Sequence, residues 1–189
     1  GDSEGSTVVT QSDGSIFIRA LSDWTVVPTP YRDALVIKLT PSGAFDTTYA
    51  VSSPTPGFKN LSISRSTISG GPSTMAFDSA GRLVVIGSTS NISTTLGYVA
   101  RLLTTGEYDP TFNSIGFLEV LTPTETSFSS VAITTGDKIV VGGSRAIGSG
   151  SETRAIVAKL NTDGTPDLSF DTDGWVDFSS AQTIGAIAL

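Results

Sequence analysis

The chain has 189 residues, 38% hydrophobic and 15% charged, with 11 Lys and Arg against 18 Asp and Glu for a net charge of −7. That balance excludes nucleic acid and anionic membrane surfaces as partners, because neutralising phosphate needs clustered cations. Cys and His are both absent, which removes disulfides, thiolate and imidazole metal sites, Ser-His-Asp triads and histidine general bases.

Ser and Thr supply about 28% of the residues, well above the usual share. A surface hydrated mainly by hydroxyls, together with the acidic balance, points to an exported protein, extracellular or held at the cell surface. No apolar run reaches the ~18 residues that a membrane span needs, so insertion into a bilayer is not expected. Residues 1–5 lack the basic and apolar regions of a signal peptide, which reads as a mature form or an excised piece.

The first unit along the chain has short apolar runs at 7–10, 16–21 and 34–39, separated by turn residues Ser12-Asp13-Gly14 and closed by Pro41-Ser42-Gly43. Its fourth strand is expected at 61–63. Residues 23–32 read as a loop that carries Trp24, Pro28, Pro30 and Tyr31. Exposed aromatics in a Pro-stiffened loop can stack on sugar rings or on a protein, so Trp24 and Tyr31 are the ligand-binding candidates; the alternative is a loop folded back onto its own sheet. The segment 51–73, rich in Pro, Gly and Ser, reads as the longest irregular connection.

The second unit repeats the order with runs at 75–77, 83–88, 98–103 and 117–121, and turns at 78–81 and 104–106. The third is the cleanest copy. Its runs fall at 131–133, 138–144, 154–160 and 175–178, with turns at 134–137 and 161–164. The turn after the third strand is the best ruler, since Gly43, Gly106 and Gly164 recur with a period of about 60. Lys38-Leu39, Arg101-Leu102 or Lys159-Leu160 precedes each glycine. Asp46 and Tyr49, Asp109 and Phe112, or Asp167 and Phe170 follow it at matched spacing.

Four antiparallel strands per unit of this length form one meander sheet. The fold class is therefore all-β and propeller-like, with three four-stranded blades at about 7–70, 71–129 and 130–184. A further blade begins at 185–189. First strands are expected to line the axis and fourth strands to lie outermost.

The runs SVAITTGDKIVVGGS and AIVAKLNTDGTPDLSF, with TMAFDSAGRLVVIGS and YVARLLTTGEYDPTF in the second copy, resemble the delta-sixty repeat of bacterial extracellular β-propellers. The resemblance covers nearly the whole chain. It departs in the first copy, where Arg19-Ala20 replaces the usual small pair and an insertion spans 50–70. It implies a structural repeat and an extracellular habitat rather than an activity.

Acids fall mainly at turns, where an Asx-type hydrogen bond accounts for Asp13, Asp78, Asp137, Asp163 and Asp173. The repeated acid and aromatic are expected to fix the turn and plug the space between blades. Asp171-Thr172-Asp173-Gly174 resembles part of a calcium loop, yet Ser169 and Ser180 stand where further ligands are needed. Calcium at Asp171 and Asp173 is thus at most weakly held, and no other cofactor is implied. The leading function is a non-catalytic extracellular structural, adhesion or assembly module whose partners are other protein chains or copies of itself. The alternatives are a lectin-like glycan binder, a glycan-active enzyme with paired carboxylates, and a filament subunit joined by strand sharing. The last alternative rests on the terminal AIAL, which matches an opening strand. Ile187 and Leu189 would then complete a blade together with another chain.

Overall fold

The computed structural model describes residues 3–26, 29–61, 67–68, 74–90, 94–120, 124–148 and 152–189. The side chains of 3–6, 22–26, 29–33 and 67–68 lie outside the description. Among the described residues there is no helix.

The first sheet runs in chain order through β1 (Ser3–Thr10), β2 (Ile16–Val26), β3 (Thr29–Leu39) and β4 (Phe58–Asn60), every neighbour antiparallel. The second holds β5 (Thr67–Ile68), β6 (Met75–Phe77), β7 (Leu83–Ser90), β8 (Thr95–Leu102) and β9 (Phe117–Glu119). Here β5 and β6 pair with β7 at different heights and together stand in for one first strand. The third comprises β10 (Thr126–Ile133), β11 (Ile139–Ile147), β12 (Glu152–Leu160) and β13 (Trp175–Phe178). The register of β1 slips between Gly5 and Thr7 and that of β10 between Phe128 and Ser130, near where the second sheet's first strand divides. Each first strand continues beyond this bulge, so the sheets start at 3, 67 and 126, earlier than the apolar runs alone indicate.

Two apolar layers hold the blades together. Phe17, Leu21, Val36 and Tyr49 of blade 1 pack on Met75, Val85, Tyr98 and Leu102 of blade 2. The opposite face of blade 2, with Val84, Ile86, Val99 and Phe112, packs on Phe128, Val131, Ile139 and Ile156 of blade 3. Alternation along β7 and β8 explains this: odd and even positions serve different neighbours, so the middle blade has no polar face and both strands read as continuous apolar runs. First strands of adjacent blades approach one another, β1 with β6 and β6 with β10, as an axial position requires.

Three expectations need correction. Residues 23–26 and 29–32 are strand where a loop over 23–32 is expected: the β2–β3 ladder extends to Val26 and Thr29, and Trp24 is the register partner of Tyr31. Hydroxylated and β-branched residues keep a ladder going where the apolar pattern stops. Blade 1's fourth strand is Phe58–Asn60, not 61–63, and the signal overlooked is a Gly-aromatic pair. Gly57-Phe58, Gly116-Phe117 and Gly174-Trp175 each open the fourth strand, with the glycine at φ of 90°, 77° and 89°. Each glycine N–H donates to the carbonyl of the repeat aromatic, Tyr49, Phe112 or Phe170, closing the turn. The insertion is correspondingly short, since Gly57 follows Tyr49 by eight positions where the other pairs are four apart.

Residues 182–189, lastly, form no strand ladder. They lie along blade 3, where Ile184 N–H donates to the Gly143 carbonyl at 3.1 Å and Ile187 N–H to Ser130 Oγ at 2.7 Å.

Candidate interaction surface

The turn after each third strand builds the same small device. A tight bridge closes it, Leu39 to Phe45, Leu102 to Tyr108 and Leu160 to Pro166. The acid that follows accepts an Asx-type bond from the backbone two residues on, from Thr48, Thr111 and Ser169. Its other oxygen takes a cation from the end of the third strand: Lys38 at 2.9 Å from Asp46, Arg101 at 2.8 Å from Asp109 and Lys159 at 3.4 Å from Asp167. In blades 2 and 3 a second cation from the first hairpin joins, Arg82 at 3.2 Å and Lys138 at 2.9 Å. Blade 1 has Ser15 at that position.

The same cations lie over the aromatic rings, Lys38 over Tyr49 at 5.9 Å, Arg101 over Phe112 at 5.0 Å and Lys159 over Phe170 at 5.9 Å. Acid, cation and ring are thus one rigid unit.

The electrostatics follow. Burial pushes the Asp109 carboxyl up, but hydrogen bonds from Thr111 and the Arg101 guanidinium outweigh it and hold the group below its ordinary range. Lys138 and Ser169 hold Asp167 well below that range, and Thr48 and Lys38 lower Asp46. Such carboxylates stay ionised near neutrality and act as acceptors, the opposite of the raised acid that general-acid chemistry needs.

What the device does becomes visible between blades. The Tyr49 ring, 1% exposed, sits on the Gly106 turn of the next blade, where a Cβ would come within 2.8 Å of it. The Phe112 ring, 0% exposed, sits on Gly164 at 2.9 Å by the same measure. The residue after each ring, Ala50 at φ 51° and Asn113 at φ 47°, donates its N–H to the carbonyl just before that glycine, Thr105 at 2.7 Å and Asp163 at 2.8 Å. Only glycine leaves room for the ring while holding the left-handed backbone of the turn.

Polar contacts flank this knob and hole. Ser52 and Lys59 of blade 1 donate to Glu107 of blade 2 at 2.6 and 3.2 Å. Arg101 of blade 2 donates to the Thr162 carbonyl of blade 3. Asp137 of blade 3 accepts from both the N–H and the hydroxyl of Ser79 in blade 2.

Outer faces of the array show what happens without a neighbour. Phe170 is half-buried and Asp171, at φ 45°, holds the conformation of Ala50 and Asn113, but among the described residues no glycine turn of another blade lies against them. At the other end a Cβ on Gly43 would meet nothing within 4 Å. Val8 shares its register position with Met75 and Val131, which are 3% and 8% exposed, yet it is 60% exposed.

The candidates from sequence fall as follows. Trp24 and Tyr31 are paired in the ladder, and their side chains lie outside the described residues. Asp171 and Asp173 belong to no group of three or more potential metal ligands among the described residues; Asp173 accepts from Trp175 N–H at 2.9 Å and Asp177 pairs with Arg145. Asp13, Asp78 and Asp163 make Asx turns as expected, whereas Asp137 reaches across to blade 2. Ile187 is half-buried on blade 3, with Ile184 beside it and Gly142 beneath both, while Leu189 is 76% exposed.

Sequence reading noted Arg19-Ala20 as a departure from the repeat but gave Arg19 no structural role. It is fully buried between blades 1 and 2, at the register position of Ile86 and Gly142, where burial raises the Tyr98 hydroxyl and the nearby Arg19 cation opposes that rise.

A family model described as a domain of unknown function (DUF5122), beta-propeller, matches residues 81–112 and 137–170. The fold is β-propeller-like, and blades 2 and 3 are similar to that family. Both matched stretches run from the first hairpin turn to the repeat aromatic, so they contain the acid-cation-ring unit and end on the knob, Phe112 or Phe170. No curated protein matches the chain.

Proposed function

We propose that this chain is a non-catalytic structural or interaction module of the delta-sixty kind, working outside the cell or on its surface, with protein chains, its own copies included, as partners. The observation that carries the reading is the use made of the repeated carboxylates. Asp46, Asp109 and Asp167 are each engaged by a turn amide and by a cation that also lies over the repeat aromatic, Tyr49, Phe112 or Phe170. A chain without His or Cys depends on Asp, Glu, Lys or Tyr for any proton transfer, and here the repeated acids serve the joints. The hydroxyl-rich, acidic composition supports the extracellular part of the reading.

The test is direct. The purified chain, incubated with chromogenic glycosides, esters and phosphate esters, is expected to turn none of them over. Turnover abolished by Asp109→Asn or Asp167→Asn would overturn the reading. Labelling intact cells of the native host with an antibody against the chain tests its location, and signal confined to lysed cells would refute export.

A further inference from the structure

The joint between blades 1 and 2 and the joint between blades 2 and 3 share one frame but differ in polarity, and three positions set the difference. Arg19, Tyr49 and Tyr98 stand in the first joint; Ile86, Phe112 and Ile156 hold the same places in the second. All six are 1% exposed or less. The first joint thus buries a cation and two phenol hydroxyls where the second buries hydrocarbon.

The Tyr49 hydroxyl meets no hydrogen-bond partner among the described residues, and the Tyr98 hydroxyl has the Arg19 cation near it. A buried hydroxyl without a partner shifts an equilibrium towards hydration by about tenfold or more. A buried guanidinium supplies no margin against that, because taking the charge out of water offsets most of what its interactions return. Isoleucine at the same place gains from burial outright. At their rims the joints are alike: Glu107 accepts from Ser52 and Lys59 across the first, and Asp137 accepts from Ser79 across the second. Each also has one ring seated on one glycine turn and one backbone bond beside it. The buried residues therefore decide which joint is weaker.

We propose that the joint between blades 1 and 2 is a hinge, which parts and recloses in the native protein while the joint between blades 2 and 3 stays shut. Opening hydrates Arg19, Tyr49 and Tyr98 in one step and bares Phe17, Leu21 and Val36 on the inner face of blade 1. Each sheet keeps its own ladder, so no strand pairing breaks. The motion is a sub-global opening, reached at a lower free energy than unfolding of the chain.

Because the chain has no Cys, single thiols can report each joint. Ala100 and Ala158 are equivalent, wholly buried positions, one in each joint. Ala100→Cys and Ala158→Cys, made singly in the full chain, are labelled with an aromatic disulfide while circular dichroism in urea gives the global unfolding of each variant. Labelling of Ala100→Cys is expected to run about tenfold faster or more than that of Ala158→Cys. It should also respond to urea more weakly than global unfolding, since parting one joint exposes less surface. Labelling of Ala158→Cys should track global unfolding. Adding Tyr49→Phe gives the first joint the ring of the second, without the hydroxyl, and should slow labelling of Ala100→Cys by about threefold or more. Leu102→Cys and Leu160→Cys, the equivalent pair two positions along, serve in the same way if either alanine variant fails to fold. Labelling that tracks global unfolding at both positions, faster labelling in the second joint, or no slowing by Tyr49→Phe would overturn the proposal.

Discussion

Phe112→Ala and Phe170→Ala change the same residue of the same motif in two surroundings. Phe112 is wholly buried, with Gly164 of the next blade beneath it and the Arg101 guanidinium 5.0 Å from its centre. Truncating a core Phe costs about 3–5 kcal/mol once the cavity is included. The hole it leaves is lined by a rigid turn that cannot collapse inward, so about 4 kcal/mol is expected. For a chain of this size 1 kcal/mol moves the midpoint by about 2–4 °C, giving a fall of about 8–16 °C. Phe170 keeps its Lys159 contact but has no blade against its outer side. Its truncation should cost about 1 kcal/mol and move the midpoint by about 2–4 °C. The assay is calorimetry in dilute solution. Equal losses in the two variants would refute the reasoning, because the ring would then be stabilising its own blade and not the joint.

Two further outcomes follow from the same joint. Gly164→Ala and Gly43→Ala both place a Cβ at a positive φ, 91° and 84°, costing about 1 kcal/mol each; only the first also drives it to 2.9 Å from Phe112, which adds about 1–3 kcal/mol of overpacking. Urea unfolding checks this, and equal losses would show that the hole is not filled as described. The second concerns acid. Asp109 has its folded pKa lowered, so its contribution is complete above the unfolded value of about 3.9 and is lost as pH falls below it. Asp109→Asn should lower stability at pH 7 by about 3 kcal/mol, by stranding the buried Arg101 charge, and should flatten the decline below pH 4. An acid limb as steep as that of wild type would contradict the assignment.

Much of the fold is local and therefore legible. A glycine at positive φ, an Asp bonding two residues ahead and an apolar run between them are set by neighbours in sequence, and they recur at Gly43, Gly106 and Gly164. Strand ends were harder to read. Hydroxyl residues carry a ladder as well as Val or Ile does, so the hairpin through Trp24 and Tyr31 read as a loop. Blade 1's fourth strand was displaced because the short insertion after Tyr49 hid the Gly57-Phe58 pair.

From the sequence alone came the all-β class, three repeated meanders, the acid and aromatic of each unit, and the match between the last residues and an opening strand. Each is a matter of period or of turn chemistry within a few residues. Tertiary structure decided which partner each of those residues meets. Tyr49 finds Gly106 and Phe112 finds Gly164 across more than fifty residues, Asp137 bonds Ser79 of another blade, and Arg19 occupies a buried position that Ile and Gly hold elsewhere. No local pattern encodes such pairings, because they depend on how one sheet lies against the next. That Gly43 and Phe170 lack, among the described residues, the contacts made at Gly106 and Gly164 is likewise visible only in the tertiary structure.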